Sequence, residues 1–420
     1  MIVNILIFVA GLAVYGGYGI AGLAYLLGAT ALTYVAGLLI PKWRFLMWPV
    51  VAVNVAALVI VKAQPVLGWQ FVAPLGISYF TFQIIAYVVD VNRGKYEPER
   101  NPFRYAFFVT YIPHLFIGPI EPFENMRQAA FENRRITWDG ISEGAVRFLW
   151  GLFKKLVIAA RAGVIVGAIS ADPEKFRGAY ALCAMVMYSI QLYTDFSGGI
   201  DMVLGGSRML GIVMSENFDA PYFSQSFQEF WRRWHMTLGT WLRNYVYIPL
   251  GGNRKGKARK LINQIITFLV SGLWHGIHYV LWGLINGIFV AFGDKLVTRW
   301  KLLNQAGTFF LVTLLWSFFV WPDTMTAVKM VGSVFTVFNY GDFFGVIGTL
   351  GLTGGDWIVL AAALVLLWLY DWKRQAIWDG VHGFAPGGRT AVICLLGLLV
   401  LVFGMYGIGF NASEFIYSRF

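Results

Sequence analysis

Charge is what this sequence has least of. Only 13% of its 420 residues are charged, 58% are hydrophobic, and the first charged side chain is Lys42. A soluble domain of this length could not hide so much apolar surface, and the repeated long uncharged runs imply a bilayer as the solvent. No basic stretch precedes the first apolar run, which argues against a cleaved leader peptide. Residues 1–40 read instead as a helical hairpin turning near Gly16-Gly17 or Gly19. Cysteine is nearly absent. Cys183 and Cys394 both lie in apolar sequence, which excludes a disulfide framework and predicts inert, buried thiols. The sequence lacks a phosphate-binding glycine loop, a Gly-x-Ser-x-Gly elbow and a His-Glu-x-x-His pair. It also lacks a repeat period, matched transporter-like halves and a Ser- or Pro-rich linker, so residues 1–420 read as one domain.

What is present is a succession of apolar segments. Spans are predicted near 3–20, 21–40, 46–64, 68–90, 103–121, 143–170, 179–212, 261–292, 303–321, 357–371 and 389–410, several of them long enough to tilt, break or form two pieces. They describe an all-α polytopic membrane protein of about 10–12 transmembrane helices, since roughly 20 apolar residues cross a bilayer. Residues 322–356 are less apolar and predict a loop or short interfacial helices. Aromatics make up 17% of the chain and include 17 Trp, a residue suited to the headgroup zone.

The formal charge of +11 is concentrated. Residues 231–260 carry Arg232, Arg233, Arg243, Arg254, Lys255, Lys257, Arg259 and Lys260 with no acid, which leaves only +3 for the rest. Because the cluster lies between membrane segments, a cytoplasmic loop explains it better than nucleic-acid binding. The partner it predicts is lipid, together with any anionic substrate arriving from that face. Within 222–248, Phe227, Phe230, Trp231, Trp234, Leu238, Trp241, Leu242 and Tyr245 recur at helical spacing. This predicts an amphipathic helix lying in the interface or lining a cavity.

Of five histidines, His275 is the most unusual, standing in Gly272-Leu273-Trp274-His275-Gly276 within an uncharged run from Leu261 to Gly293. Fourteen residues of helix put it about 21 Å along the run, inside a hydrocarbon core of about 30 Å. An ionisable group at that depth is expensive, and neutral imidazole accepts protons near pH 7. The alternative is a histidine satisfied by a neighbouring helix. His278 shares its helical face, but no carboxylate or cysteine stands near in sequence, so no metal site is expected. His235, read alone, is a surface or capping residue; His114 and His382 read as structural. Asp195 and Asp201, with Ser197 between them, interrupt an apolar stretch. They read as a buried ion pair, with Arg208 available to one acid, or as groups that orient a histidine.

Together these stretches resemble the membrane-bound O-acyltransferase family, in particular its bacterial branch for alginate O-acetylation and, more distantly, teichoic-acid D-alanylation proteins. The residues carrying the likeness begin with Leu75-Gly76-Ile77-Ser78-Tyr79-Phe80-Thr81-Phe82-Gln83, Asp90-Val91-Asn92-Arg93-Gly94, Gly118-Pro119-Ile120 and Asp195-Phe196-Ser197-Gly198. They continue with Glu216-Asn217-Phe218, Phe230-Trp231-Arg232-Arg233-Trp234-His235, the run from Trp241 to Arg254, Gly272-Leu273-Trp274-His275-Gly276 and the terminal Glu414-Phe415-Ile416-Tyr417. The sequence departs from relatives in lacking a leading hydrophobic segment, in a shorter stretch between His275 and Trp282, in Asn286-Gly287 where many have His-Gly, and at His114.

The resemblance implies interfacial helices around a central buried catalytic cavity, in a multi-pass protein of the cytoplasmic membrane. His275 would be the family's invariant histidine and general base, and His235 a second catalytic histidine. Arg232, Arg233, Trp234, Trp274, Asp195 and Ser197 would touch substrate or orient the groups that do. It also implies no bound cofactor, but an acyl thioester co-substrate: acetyl-coenzyme A or an acyl carrier protein. The expected partner is an extracytoplasmic SGNH or esterase-like transferase that finishes modification of a cell-surface polysaccharide. Two rival readings are a flippase for a polymer precursor and a non-catalytic scaffold. The first predicts coupled uptake without thioester consumption, the second indifference to loss of His275.

Overall fold

The computed structural model describes residues 2–69, 73–293 and 297–406; Glu414-Phe415-Ile416-Tyr417 lies outside the described residues. Among the described residues the secondary structure is helical, apart from a single antiparallel bridge between Phe218 and Trp234. Two compact units emerge, one of Met1–Gly144 with Gly206–Glu216, the other of Ala145–Gly205 with Asn217–Phe420. Two of the boundaries fall inside helices Trp138–Phe153 and Ala179–Met209, and the third lies between Glu216 and Asn217, after the second of these helices.

The first unit opens with the expected hairpin. Helices Ile2–Tyr18 and Ile20–Leu39 meet at Gly19, whose φ of 154° is open to glycine. Helix Met47–Leu67 follows, and helix Ile77–Asn92 is buried along nearly its whole length. Gly76 starts that helix with φ 67°, and a Cβ there would lie 2.2 Å from the Leu115 carbonyl oxygen, so only glycine fits. The span expected at 103–121 is two short helices, Pro102–Thr110 and Ile112–Ile117, divided at Tyr111; Pro113, in the first turn of the second, has no N–H with which to continue the first. The Tyr111 hydroxyl donates to Ser207 Oγ at 2.9 Å.

Helix Trp138–Phe153, of which the second unit holds the part from Ala145 on, continues through a π-helical turn, Lys154–Ala159, into Ala160–Ser170. This rod crosses helix Ala179–Met209 at two glycines: a Cβ on Gly151 would sit 2.5 Å from the Gly198 oxygen, and one on Gly198 would sit 2.8 Å from the Gly151 oxygen. Helices Lys301–Val320, Gly354–Gly383 (kinked at Lys373) and Pro386–Phe403 complete the frame. Between them, 322–356 forms the short helices Thr324–Thr336 and Tyr340–Val346.

Five helices among the described residues are long and apolar enough to cross a bilayer. Their outward faces confirm the solvent. On Pro386–Phe403, Leu395, Leu398, Leu401 and Val402 are all more than half exposed, a surface only lipid would tolerate. Cys394 shares this exposed helix and Cys183 is half-buried, so the thiols are not the buried pair the sequence predicted. Apolar flanks mark lipid contact as readily as burial.

Candidate functional site

His275 does not lie mid-helix, as the uncharged run suggested. It ends helix Gly256–His275, and Gly276, at φ 140°, breaks the chain away. The Gly276 amide donates back to the carbonyls of Gly272 and Leu273 at 3.1 Å each. A single 3₁₀ turn, Ile277–Tyr279, leads into helix Val280–Phe292. The two helices run antiparallel with backbones touching. A Cβ on Gly283 would fall 2.5 Å from the Phe268 oxygen, and one on Gly287 would fall 2.8 Å from the Cα of Ile265. The predicted span 261–292 is therefore a hairpin with His275 at its tip. The half-buried imidazole stands among Trp274 at 4.4 Å between ring centroids, Phe319 at 5.4 Å, Trp282 at 5.5 Å and Tyr279 at 6.0 Å.

His235 is the second surprise. The amphipathic helix expected over 222–248 is two short helices, Phe227–Arg233 and Met236–Leu242, and His235 forms the joint in a left-handed conformation (φ 46°, ψ 54°). It is 3% exposed, so it is neither a surface residue nor a simple cap. Its Nδ1 lies 3.1 Å from Asn217 Oδ1, and the Phe196 ring meets its ring edge-on at 4.9 Å. Burial pushes the imidazole down to about 3, which keeps it neutral. The joint is held by the Met236 amide donating to the Asn217 carbonyl at 2.9 Å and the Asp219 amide donating to the Arg233 carbonyl at 3.0 Å.

An aromatic wall connects the two imidazoles. Ring contacts run from His275 to Trp282 at 5.5 Å, on to Trp316 at 6.1 Å, then Trp234 at 5.2 Å, Phe196 at 6.4 Å and His235 at 4.9 Å. Trp231 Nε1 donates to Asn286 Oδ1 at 3.2 Å, tying the wall to the hairpin.

The acids of the apolar stretch do form ion pairs, but with partners the sequence reading missed. Lys155 Nζ lies 2.6 Å from Asp195 Oδ1. Lys154 Nζ donates to Ser197 Oγ at 2.8 Å and lies 2.6 Å from Asp201 Oδ2, whose other oxygen faces Arg147 Nε at 3.0 Å. Arg208, expected to pair with one of these acids, pairs instead with Glu143. Two adjacent lysines in the apolar run before Ser170 were the available signal. Tyr193 donates to Asp371, which was likewise unsuspected, at 2.9 Å. Asp195 and Ser197 are thus engaged beside Phe196, whose ring touches His235.

The remaining residues divide. Arg232 is exposed; Arg233 is bound to Glu229 at 2.7 Å, one helical turn back. Trp234 is buried in the wall, and Trp274 is half-buried against His275. His114 is buried in the first unit, His278 is exposed, and His382 lies near Trp378, with ring centroids 5.9 Å apart. Residues 253–260 are all exposed.

Comparison with known proteins bears on this arrangement. The family model described as membrane-bound O-acyltransferase matches residues 99–337. A probable alginate O-acetylase, AlgI, of Pseudomonas syringae pv. tomato is 35% identical over 424 residues, covering 92% of this chain and 81% of that protein. A peptidoglycan O-acetyltransferase of Helicobacter pylori is 33% identical over 62% of this chain and 56% of its own length. A teichoic acid D-alanyltransferase of Streptococcus thermophilus is 29% identical over 63% of this chain and 67% of its own. The chain belongs to the membrane-bound O-acyltransferase family and is a membrane-embedded acyltransferase.

Proposed function

We propose that this single-domain enzyme, in the cytoplasmic membrane, moves an acetyl group from a cytoplasmic thioester to a hydroxyl for O-acetylation of a cell-surface or exported polysaccharide. The observation that carries this is His275 at the tip of the glycine-joined hairpin, walled by Trp274, Tyr279, Trp282 and Phe319. An imidazole so enclosed can take a proton while competing water is kept away. His275 removes the acceptor hydroxyl's proton as the oxygen attacks the thioester carbonyl. The C–S bond then breaks, and the departing thiolate recovers the proton from the imidazolium. Acetyl-coenzyme A and an acyl carrier protein are both anionic donors suited to the exposed basic segment 253–260. The acyl group then passes to an SGNH or esterase-like transferase beyond the membrane. The relatives named for alginate and peptidoglycan O-acetylation favour acetyl. D-alanyl transfer from a carrier protein is the second reading, favoured by the 29% identical relative.

The test is polymer acylation by mass spectrometry in cells expressing each variant equally. His275→Gln keeps hydrogen bonding without a usable base, and a loss of about 10²–10⁴-fold is expected. A wild-type rate would overturn the mechanism. The acyl mass separates acetyl from D-alanyl.

A further inference from the structure

Asn217 is wholly buried, and its Oδ1 is met from three sides: by the Thr237 backbone amide at 3.1 Å, the Thr237 hydroxyl at 2.9 Å and His235 Nδ1 at 3.1 Å. A backbone N–H can only donate, so the atom it meets is the amide oxygen. Turning the amide over would set its NH₂ against that N–H. With oxygen fixed there, His235 Nδ1 must carry a hydrogen.

We infer that Asn217 is a positioning residue for His235, holding its neutral ring as the Nδ1–H tautomer so that Nε2 presents a lone pair to the acyl-transfer reaction. This rests on the acyltransferase reading above and assigns to His235 a definite role within it: a hydrogen-bond or proton acceptor, never a donor, at Nε2. The buried neutral state agrees, since an imidazolium would donate from both nitrogens. The backbone is arranged to the same end. His235 adopts φ 46°, an unfavourable region for a side chain, and the Met236 amide is bonded to the carbonyl of the same Asn217. Asn217 therefore sets both the rotation of the ring, through its side chain, and the path of the chain that carries the ring, through its main chain. The Phe196 ring packs against the His235 ring at 87° between ring planes, a further constraint on the ring's rotation.

The experiment reads the tautomer directly. Protein labelled with ¹³C,¹⁵N-histidine in lipid is examined by solid-state NMR, the His235 signals being assigned by their loss in His235→Gln. The wild type is expected to show Nδ1 protonated and Nε2 unprotonated at pH 7.5; the reverse pattern overturns the inference whatever the variants do. Asn217→Leu should lose the single tautomer and lower kcat on the order of 10²-fold, as loss of a histidine's orienting partner does, with KM for the thioester unchanged. Asn217→Asp keeps an oxygen opposite Nδ1 and should restore both the tautomer and most of the rate. Should Asn217→Leu fail to fold, the wild-type spectrum and Asn217→Asp still decide the matter. An Asn217→Leu enzyme within twofold of wild type, or a fully active His235→Gln, overturns the inference. His275→Gln runs beside them. If it is inactive while Asn217→Leu is not, this inference alone has failed. If it is fully active, the proposed mechanism has failed.

Discussion

Gly272 and Gly283 face each other across the hairpin so closely that a Cβ added to Gly272 would lie 3.1 Å from the Cα of Gly283 and 2.5 Å from the Tyr279 oxygen. The tip bearing His275 is positioned by this contact. Gly272→Ala should force the two backbones apart at about 1–3 kcal/mol, seen as a lower thermal midpoint in detergent with reduced acyl transfer. Gly167→Ala, in a helix of the same unit with open space around it, should leave the midpoint unchanged or raise it. Equal losses in the two would show that the contact does not matter.

The Lys155–Asp195 pair gives a different signature. Both side chains are under 10% exposed, so removing one leaves a buried charge. Lys155→Met alone should destabilise the fold by about 3–5 kcal/mol, and adding Asp195→Leu should recover much of it. Thermal unfolding of the single and double variants measures this. A double variant worse than the sum of the singles would contradict it.

Arg232 and Arg233 are neighbours with different work. Arg232 is exposed, whereas Arg233 is bound to Glu229. Arg232→Gln should raise KM for an anionic thioester with kcat little changed. Arg233→Gln should cost about 0.3–0.5 kcal/mol of stability, as helical pairs one turn apart do. Steady-state kinetics with varied thioester would reveal the opposite assignment if KM moved only in Arg233→Gln.

Orientation is testable at Gly256. In a background lacking Cys183 and Cys394, Gly256→Cys should resist impermeant thiol reagents in intact cells, because five basic residues in 253–260 oppose translocation. Ready labelling from outside would invert the topology and move the thioester to the other face.

Much of this was legible in the chain and some was not, for identifiable reasons. The turn at Gly19 and the short helices of 322–356 followed from glycine and polarity. The break at Gly276 had a signal, a glycine directly after His275, but hydropathy averages over a window and joined two helices into one span. The joint at His235 had no local signal, since Asn217, eighteen residues away, supplies the bonds that hold it. Arg208 shares a helix with Asp195 and Asp201, and nearness along the chain suggests a pairing with one of them. Their true partners, Lys154 and Lys155, come from a neighbouring rod brought close by Gly151 and Gly198, a pairing set by tertiary contact. At His275 and His235 the imidazoles among aromatics are visible in the sequence, but not the turn at which each one stands.

The hairpin also changes a parity. A single span over 261–292 would carry the chain to the opposite side of the bilayer, whereas two antiparallel helices return it to the side it left. Residues 297–301 then share a face with 253–260, and every later segment is inverted relative to the one-span count. The flanking charges agree, because Arg299 and Lys301 on the returning end match the basic cluster on the outgoing one. A histidine at such a tip is carried on a support whose two ends lie together, so it stands a helix length of about 20–30 Å from both.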